Sequence, residues 1–571
     1  MFDAIDRRSE DDLHTLVDTE RLERHVDRFA DLRRYPGSED QWTAAEYVAN
    51  TLEGYGADVT LHTVEAYTSV PEEASVTVTS PRHETIDEAI TTAFSANTPP
   101  SGVSGPVVSV TSATDPGDVA DKIVLARGLP TPDKILALES AGARAVVFES
   151  PTPGHLHEMI VSPVWGTPSA TEVDRLPDLP VAEIGQSDAE WLRTLVTGDD
   201  VEVSVETRTR TELTDLPCPV ARIDGTESDR YFLVGNHIDA WHEGVTDNAT
   251  AMVASMELAR ILAENPPKRG VVFGFWPGHS MGRYAGSSWY ADEHWQDLRE
   301  NGVAYLHIDL NGLEGADELW FQHMAEVEAE HLDALETGPL PLGTKGDTEL
   351  LGASDRPGRN SDQSFWGTGL SSLLSGARFS ADHEDAGPVG GGWWWHTTAD
   401  TRDKVDLELL ASEVRLYLTV VSRFCNSPVV PRDFRATCGD LRATLDRIDP
   451  DEEAVDFEPV YRALDALEAA LEDVTTAIEE LDPDDPVDDD LEELQVRLGN
   501  QLIPALYMEV RDVEQEPALP HDLLPGLRIA ERLPELTGRD RRAAEITVTR
   551  GVNRLVHRIE TATEAVERYL G

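Results

Sequence analysis

Histidines and aspartates stand where this chain leaves buried runs or long loops, and their types suit metal chemistry. The run YFLVGNHID (231–239) ends in His237 and Asp239, and GVVFGFW (270–276) leads into PGHS, which supplies His279 and Ser280. VAYLHIDL (303–310) delivers Asp309, and Asp247 sits in TDNATAM. His396 follows a glycine-rich loop in WWWHTTADTRDKVD, with Asp400 and Asp403 behind it. Catalytic groups of open α/β sheets gather at the carboxyl ends of strands. Side chains two apart on a strand share a face, so Asp239 is expected to orient the His237 imidazole. Imidazole nitrogens and carboxylate oxygens converging on one sheet edge suit zinc or another divalent ion. Each residue also has a plainer reading: His237 and Asp239 as a satisfied strand end, Asp247 as a helix N-cap, His279 as core. The ordered set carries the inference, because separate strand and loop ends all supply ligand types.

These residues need a sheet to hold them. The buried runs at 231–239, 270–276 and 303–310 alternate with helical stretches at 247–262 and 283–299, which predicts a mostly parallel sheet covered on both faces. Residues 10–70 read as helix, helix and strand, the last being ADVTLHTVEAY (57–67). From 71 to 214 the texture changes to short β-rich runs with Pro and Gly between them. Inside that stretch, DVADKIVLARG, a helix at 133–141 and GARAVVFES form a strand–helix–strand unit. The stretch is expected to be an inserted domain within a core of 1–70 and 215–432. Beyond it, 433–571 is expected to be a helical domain, with apolar stripes over 455–481, 489–513 and 539–569.

Composition excludes whole classes of partner. The 571 residues hold 47 Lys+Arg against 108 Asp+Glu, a net charge of −61, which argues against nucleic acid or an anionic membrane as a partner. Disorder does not explain the acidity, because 40% of residues are hydrophobic and 12 are Trp. Lysine is confined to Lys122, Lys134, Lys268, Lys345 and Lys404. A folded acidic coat with so little Lys reads as a halophile's soluble protein, in a cytosol where salt screens self-repulsion. Cys218, Cys425 and Cys438 suggest neither a disulfide framework nor a cysteine zinc site. The opening MFDAIDRRSEDDLHTLVDTE lacks an apolar core for a signal peptide, and a cytoplasmic location is expected.

GNHIDAWHEGVTDNATAM, FWPGHSMGRYAGSSWY, HIDLNG, SDQSF (361–365) and HTTADTRDKVD resemble, in order, the signature blocks of metallopeptidase family 28. That family comprises di-zinc aminopeptidases and glutamate-carboxypeptidase-like and transferrin-receptor-like proteins. The insert resembles the protease-associated domain found there, and the tail is similar in position to the dimerisation domain of the carboxypeptidase-like branch, which implies a homodimer. The resemblance implies a zinc exopeptidase-like α/β core. It also implies that His237 and Asp309 hold one ion and His396 another, with Asp247 bridging and Asp239 orienting His237. The chain departs from the family at the Glu-Glu pair after the second strand. His279 stands where the general base is expected, and Ser280 where a carboxylate ligand is expected. Three readings follow: His279 as a ligand of a second metal, His279 as the base beside a single metal, or a degenerate site in a scaffold. The expected function is metal-dependent hydrolysis of peptide bonds at chain ends. A non-peptide amidohydrolase and a transferrin-receptor-like binding protein are the alternatives. Glu243 and Glu314 are candidates to replace the base. Trp393, Trp394 and Trp395 read either as a packed loop or as an apolar wall of the substrate pocket. Trp395 and Arg283 are the expected substrate contacts, with Arg359 and His383 as further cations for a substrate carboxylate.

Overall fold

The computed structural model describes residues 10–198, 200–339, 342, 356–358, 361–448, 455–520 and 522–571. Its centre is a twisted sheet in which Ser371–Arg378, Gly302–His307, Ser228–His237 and Arg269–Trp276 lie side by side and parallel. Glu318–His323 closes one side and Glu202–Ile223 the other, both antiparallel. Alternation along the central strands sends Phe232 and Val234 to one face and Tyr231 and Leu233 to the other. The first face is covered by Thr19–Phe29, Glu39–Tyr55, Thr250–Glu264 and Leu407–Asn426, and the second by Ala285–Glu293 and Trp295–Asn301. Burial on both faces is why these strands read as continuous apolar runs.

The strand expected at 57–67 is longer. Asp58–Ser80 pairs antiparallel with Glu202–Ile223 from Asp58 opposite Arg222 to Ser80 opposite Glu202. The boundaries expected at 70/71 and 214/215 therefore fall inside one ribbon, and core and insert share a hydrogen-bonded ladder. The insert has its own parallel strands Val103–Ser109, Ile123–Arg127, Ala145–Glu149 and Val181–Ile184, with the helices Pro132–Ser140 and Gln186–Gly198.

Four tail helices, Phe434–Ile448, Glu458–Glu479, Asp489–Tyr507 and Gly538–Leu570, follow the core. Their apolar stripes are consumed within the chain: Leu464, Leu467, Leu494, Leu498, Leu555 and Ile559 share one buried cluster with Phe232 and Val234. Fully buried Arg269 pairs with Glu492 and locks the tail to the base of the sheet. No helix among the described residues is long and apolar enough to cross a membrane. Two strands escape sequence patterning. Glu318–His323 is an edge strand, and Ser371–Arg378 opens with two serines and carries no β-branched residue.

Candidate metal centre

The central strands end within a few residues of one another and bring the histidines and aspartates together. Asp247 lies in the turn before Thr250–Glu264, with non-helical φ −127° and ψ 79°. It is not the N-cap of that helix; Ala249 is, and it makes no side-chain capping bond. The Asp247 carboxylate turns inward instead, with Oδ1 3.0 Å from His237 Nε2 and Oδ2 3.0 Å from His396 Nε2. Asp309 Oδ1 stands 3.6 Å from the same His237 nitrogen. The His279 ring stacks on His237, with centroids 3.9 Å apart and planes 12° from parallel. One donor atom each from His237, His279 and Asp309 lie within 4.8 Å of one another.

Main-chain carbonyls set the ring tautomers. His237 Nδ1 donates to the carbonyl of Asp239 at 2.8 Å, and His396 Nδ1 donates to the carbonyl of Glu158 at 2.7 Å. Each histidine therefore turns Nε2 toward Asp247, the orientation in which a metal-binding imidazole is held. Asp239 does not act as expected. Its carboxylate is 4.0 Å from the His237 ring nitrogen and accepts the backbone N–H groups of His279 at 2.9 Å and Ser280 at 3.1 Å. It shapes the loop that carries His279, and its backbone oxygen orients His237. Asp400 has the corresponding task for Asp247, accepting the N–H groups of Thr246 at 2.9 Å and Asp247 at 3.0 Å.

The electrostatics fit a cation. Burial opposes charge on His237, but Asp247 and Asp309 outweigh it and hold the imidazole well above its ordinary pKa. Burial likewise opposes ionisation of Asp247 and Asp309, and their histidine contacts hold both carboxyls below their usual range. Burial and the neighbouring His237 push His279 well below its usual value, leaving it neutral, the form that ligates metals. His237 Nε2 and Asp309 Oδ1 are buried, and among the described residues neither makes a hydrogen bond of good geometry, although Asp247 Oδ1 stands 3.0 Å from the nitrogen. An N/O-binding divalent ion would satisfy both atoms.

The site opens on a cavity of about 640 Å³, lined among others by Asp247, His279, Ser280, Asp309, His396 and Trp395. Arg283 also lines it. Among the described residues its buried Nε makes no hydrogen bond, and its Nη2 reaches the carbonyl of Ala518 at 3.5 Å. The tryptophan run divides: Trp395 faces the cavity, Trp394 packs with Leu313, Phe379 and Leu409, and Trp393 meets His155 of the insert with the rings tilted by 31°. Glu243 pairs with Arg33 at 3.0 Å, Glu314 is exposed, and neither borders the cavity. His383 also lies outside it, and Arg359 lies outside the described residues.

Sequence reading missed His307, whose Nε2 stands 3.4 Å from Asp309 Oδ2 and whose ring is parallel to His279. The signal was available, because His307-Ile308-Asp309 repeats the His237-Ile238-Asp239 pattern at a second strand end. Arg378, which donates to the carbonyls of Asp309 and Leu310 at the cavity wall, gave no such signal because its strand went unread.

A parallel-centred sheet with a nitrogen- and oxygen-lined cation cradle at its carboxyl edge defines an α/β protein of metalloenzyme type. Residues 220–421 match the profile of peptidase family M28, and residues 103–192 match that of the PA domain. It is 25% identical over 439 residues to the probable lipoprotein aminopeptidase LpqL of Mycobacterium tuberculosis, covering 69% of this chain and 82% of that one. It is 31% identical over 121 residues to the mouse aminopeptidase NAALADL1, covering 20% of this chain and 16% of the relative's length. Among solved structures, the M28 peptidase precursor of Shewanella amazonensis superposes with a TM-score of 0.56 at 17% identity, covering 75% and 98% of the two chains. A zinc aminopeptidase of Bacillus subtilis gives 0.52 at 19% identity, covering 71% and 95%. At such identities the likeness is one of fold.

Proposed function

We propose that this protein is a zinc-dependent exopeptidase acting on short peptides. The observation that carries the reading is Asp247 presenting one carboxylate oxygen to His237 and the other to His396, with Asp309 Oδ1 3.6 Å from the same His237 nitrogen. His237, Asp309 and His279 would hold one ion, Asp247 and His396 a second. A bound divalent ion supplies Lewis acidity toward the scissile carbonyl and lowers the pKa of water. The chain's own residues orient the ligands from the Asp239 and Glu158 carbonyls, keep the His279 loop in place through the Asp239 carboxylate, and wall the cavity with Trp395. Arg283 is the group for a substrate carboxylate. A glutamate is lacking at the usual base position, and this favours a second reading, hydrolysis of a non-peptide amide at the same centre.

The test is metal content by elemental mass spectrometry alongside hydrolysis of a peptide library. We expect bound zinc, chelator-sensitive cleavage of terminal residues, and a loss of roughly a thousandfold or more in His237→Ala. Wild-type activity in that variant would refute the metal mechanism, and an absence of bound metal would favour a binding protein.

We further propose a division of labour along the chain. Residues 1–70 and 215–432 form the catalytic unit, 71–214 the insert and 433–571 a dimerisation domain. The protein works as a homodimer in a salt-rich cytoplasm. Its charge of −61 supports the salt-rich setting. The dimer is checked by sedimentation of the full chain in molar KCl, where a monomer mass would refute it.

A further inference from the structure

We infer that the insert is a working part of the metal centre, with His157 as a positioning residue that holds the His396 ligand in place. This rests on the metal-centre reading above. His396 sits at a positive φ of 58°, a conformation that a non-glycine residue keeps only where its surroundings over-determine it. The insert supplies those surroundings. His396 Nδ1 donates to the Glu158 carbonyl at 2.7 Å, and the Glu158 N–H donates back to the His396 carbonyl at 2.9 Å. One residue earlier on each side, His157 Nδ1 donates to the carbonyl of Trp395 at 2.6 Å. A carbonyl only accepts, so His157 carries its proton on Nδ1, and its Nε2 accepts from the Thr152 hydroxyl at 2.7 Å. Burial lowers the His157 pKa to about 4, which keeps that neutral form over the working pH range.

The segment that bears these groups is itself anchored. Glu183 accepts the His157 N–H at 2.8 Å, and Ala93 bonds on either side of Ile160, to the Met159 carbonyl at 2.8 Å and from the Val161 N–H at 3.0 Å. Met159 then packs with Leu310 and Trp395 at the cavity wall. Three polar contacts from one insert segment thus hold two consecutive residues of the core loop, Trp395 and His396. By comparison, the His237 ligand is held within its own strand end. The clamp therefore acts on one ligand and leaves the other untouched, and this makes it testable.

The full-length protein, His396→Ala, His157→Phe, His157→Asn and Thr152→Val are loaded with zinc and equilibrated against graded chelator, and retained zinc per chain is counted. His396→Ala defines the ion fraction that depends on this ligand. His157→Phe, without a donor, is expected to weaken retention of that same fraction by roughly 10- to 100-fold. His157→Asn, which keeps an N–H donor near Nδ1, is expected to recover most of it. Thr152→Val leaves His157 in place and is expected to show a smaller loss, and it keeps the question answerable if the Phe variant fails to fold. Equal retention by wild type and the donor-less variant would overturn the clamp, as would equal weakening of all bound zinc or no zinc loss in His396→Ala. Wild-type protein that binds no zinc would instead overturn the metal centre, and the clamp with it.

Discussion

At the scale of single residues, the site is built from pairs in which a backbone carbonyl fixes one nitrogen of an imidazole and a carboxylate meets the other. Asp239 uses both of its ends, the carbonyl to fix the His237 ring and the carboxylate to hold the His279 loop. Asp239→Asn turns one acceptor into a donor facing the N–H of His279 or Ser280, an arrangement that costs about 1–3 kcal/mol. We expect a matching fall in thermal stability and weaker zinc retention, measured by calorimetry and metal analysis. Among the described residues Arg283 makes a long contact to Ala518 and none through Nε, so it has hydrogen bonds to give. Replacement by Met should raise KM for peptides with a free terminal carboxylate by roughly 10- to 100-fold and leave amide-capped peptides unaffected. Equal effects on both substrates would remove Arg283 from carboxylate recognition.

At the scale of elements, each strand end serves the site through a neighbour. The helix that follows His237 is preceded by an irregular turn, and that turn exists because Asp400 accepts two of its N–H groups. Buried carboxyls in such positions make stability depend on pH. Burial raises the Glu183 carboxyl in the insert to about 7, against an ordinary value near 4.5. The folded protein therefore holds this proton more tightly than the unfolded chain does. Its contribution is complete below about pH 4.5 and is lost as the pH rises through 7, by up to about 3 kcal/mol. Thermal midpoints of Glu183→Gln should fall less between pH 5 and 8 than those of the wild type, and parallel curves would rule the group out as a source of the slope.

At the scale of the whole molecule, charge and tail decide behaviour. A net charge of −61 repels itself over a Debye length of about 10 Å at 0.1 M salt and about 3 Å at 1 M. Thermal stability should therefore climb steeply between 0.1 and 2 M KCl, and a flat profile by scanning calorimetry would contradict an adaptation to salt. Tail removal near residue 434 would uncover the cluster shared by Leu464, Leu494 and Phe232, so the truncated chain should aggregate. Recovery of a folded, active core after truncation would refute that dependence.

By itself, the sequence determined the three central strands that end near 237, 276 and 307 and singled out candidate ligand types. Buried parallel strands must read as apolar runs, and groups at their carboxyl ends are the ones free to do chemistry, so His237, Asp247, Asp309 and His396 stand out in one dimension. The same reasoning extends to the strand–helix–strand unit of the insert. Only the tertiary structure decided which partner each polar group takes. The Asp239 carboxylate bonds a loop forty residues away instead of its neighbour's ring. The tryptophan run splits between core and cavity. The carbonyls of Asp239 and Glu158, one local and one from the insert, choose the histidine tautomers. Backbone carbonyls are present at every position and leave no mark in residue type, so their use at the site appears only once the chain is folded.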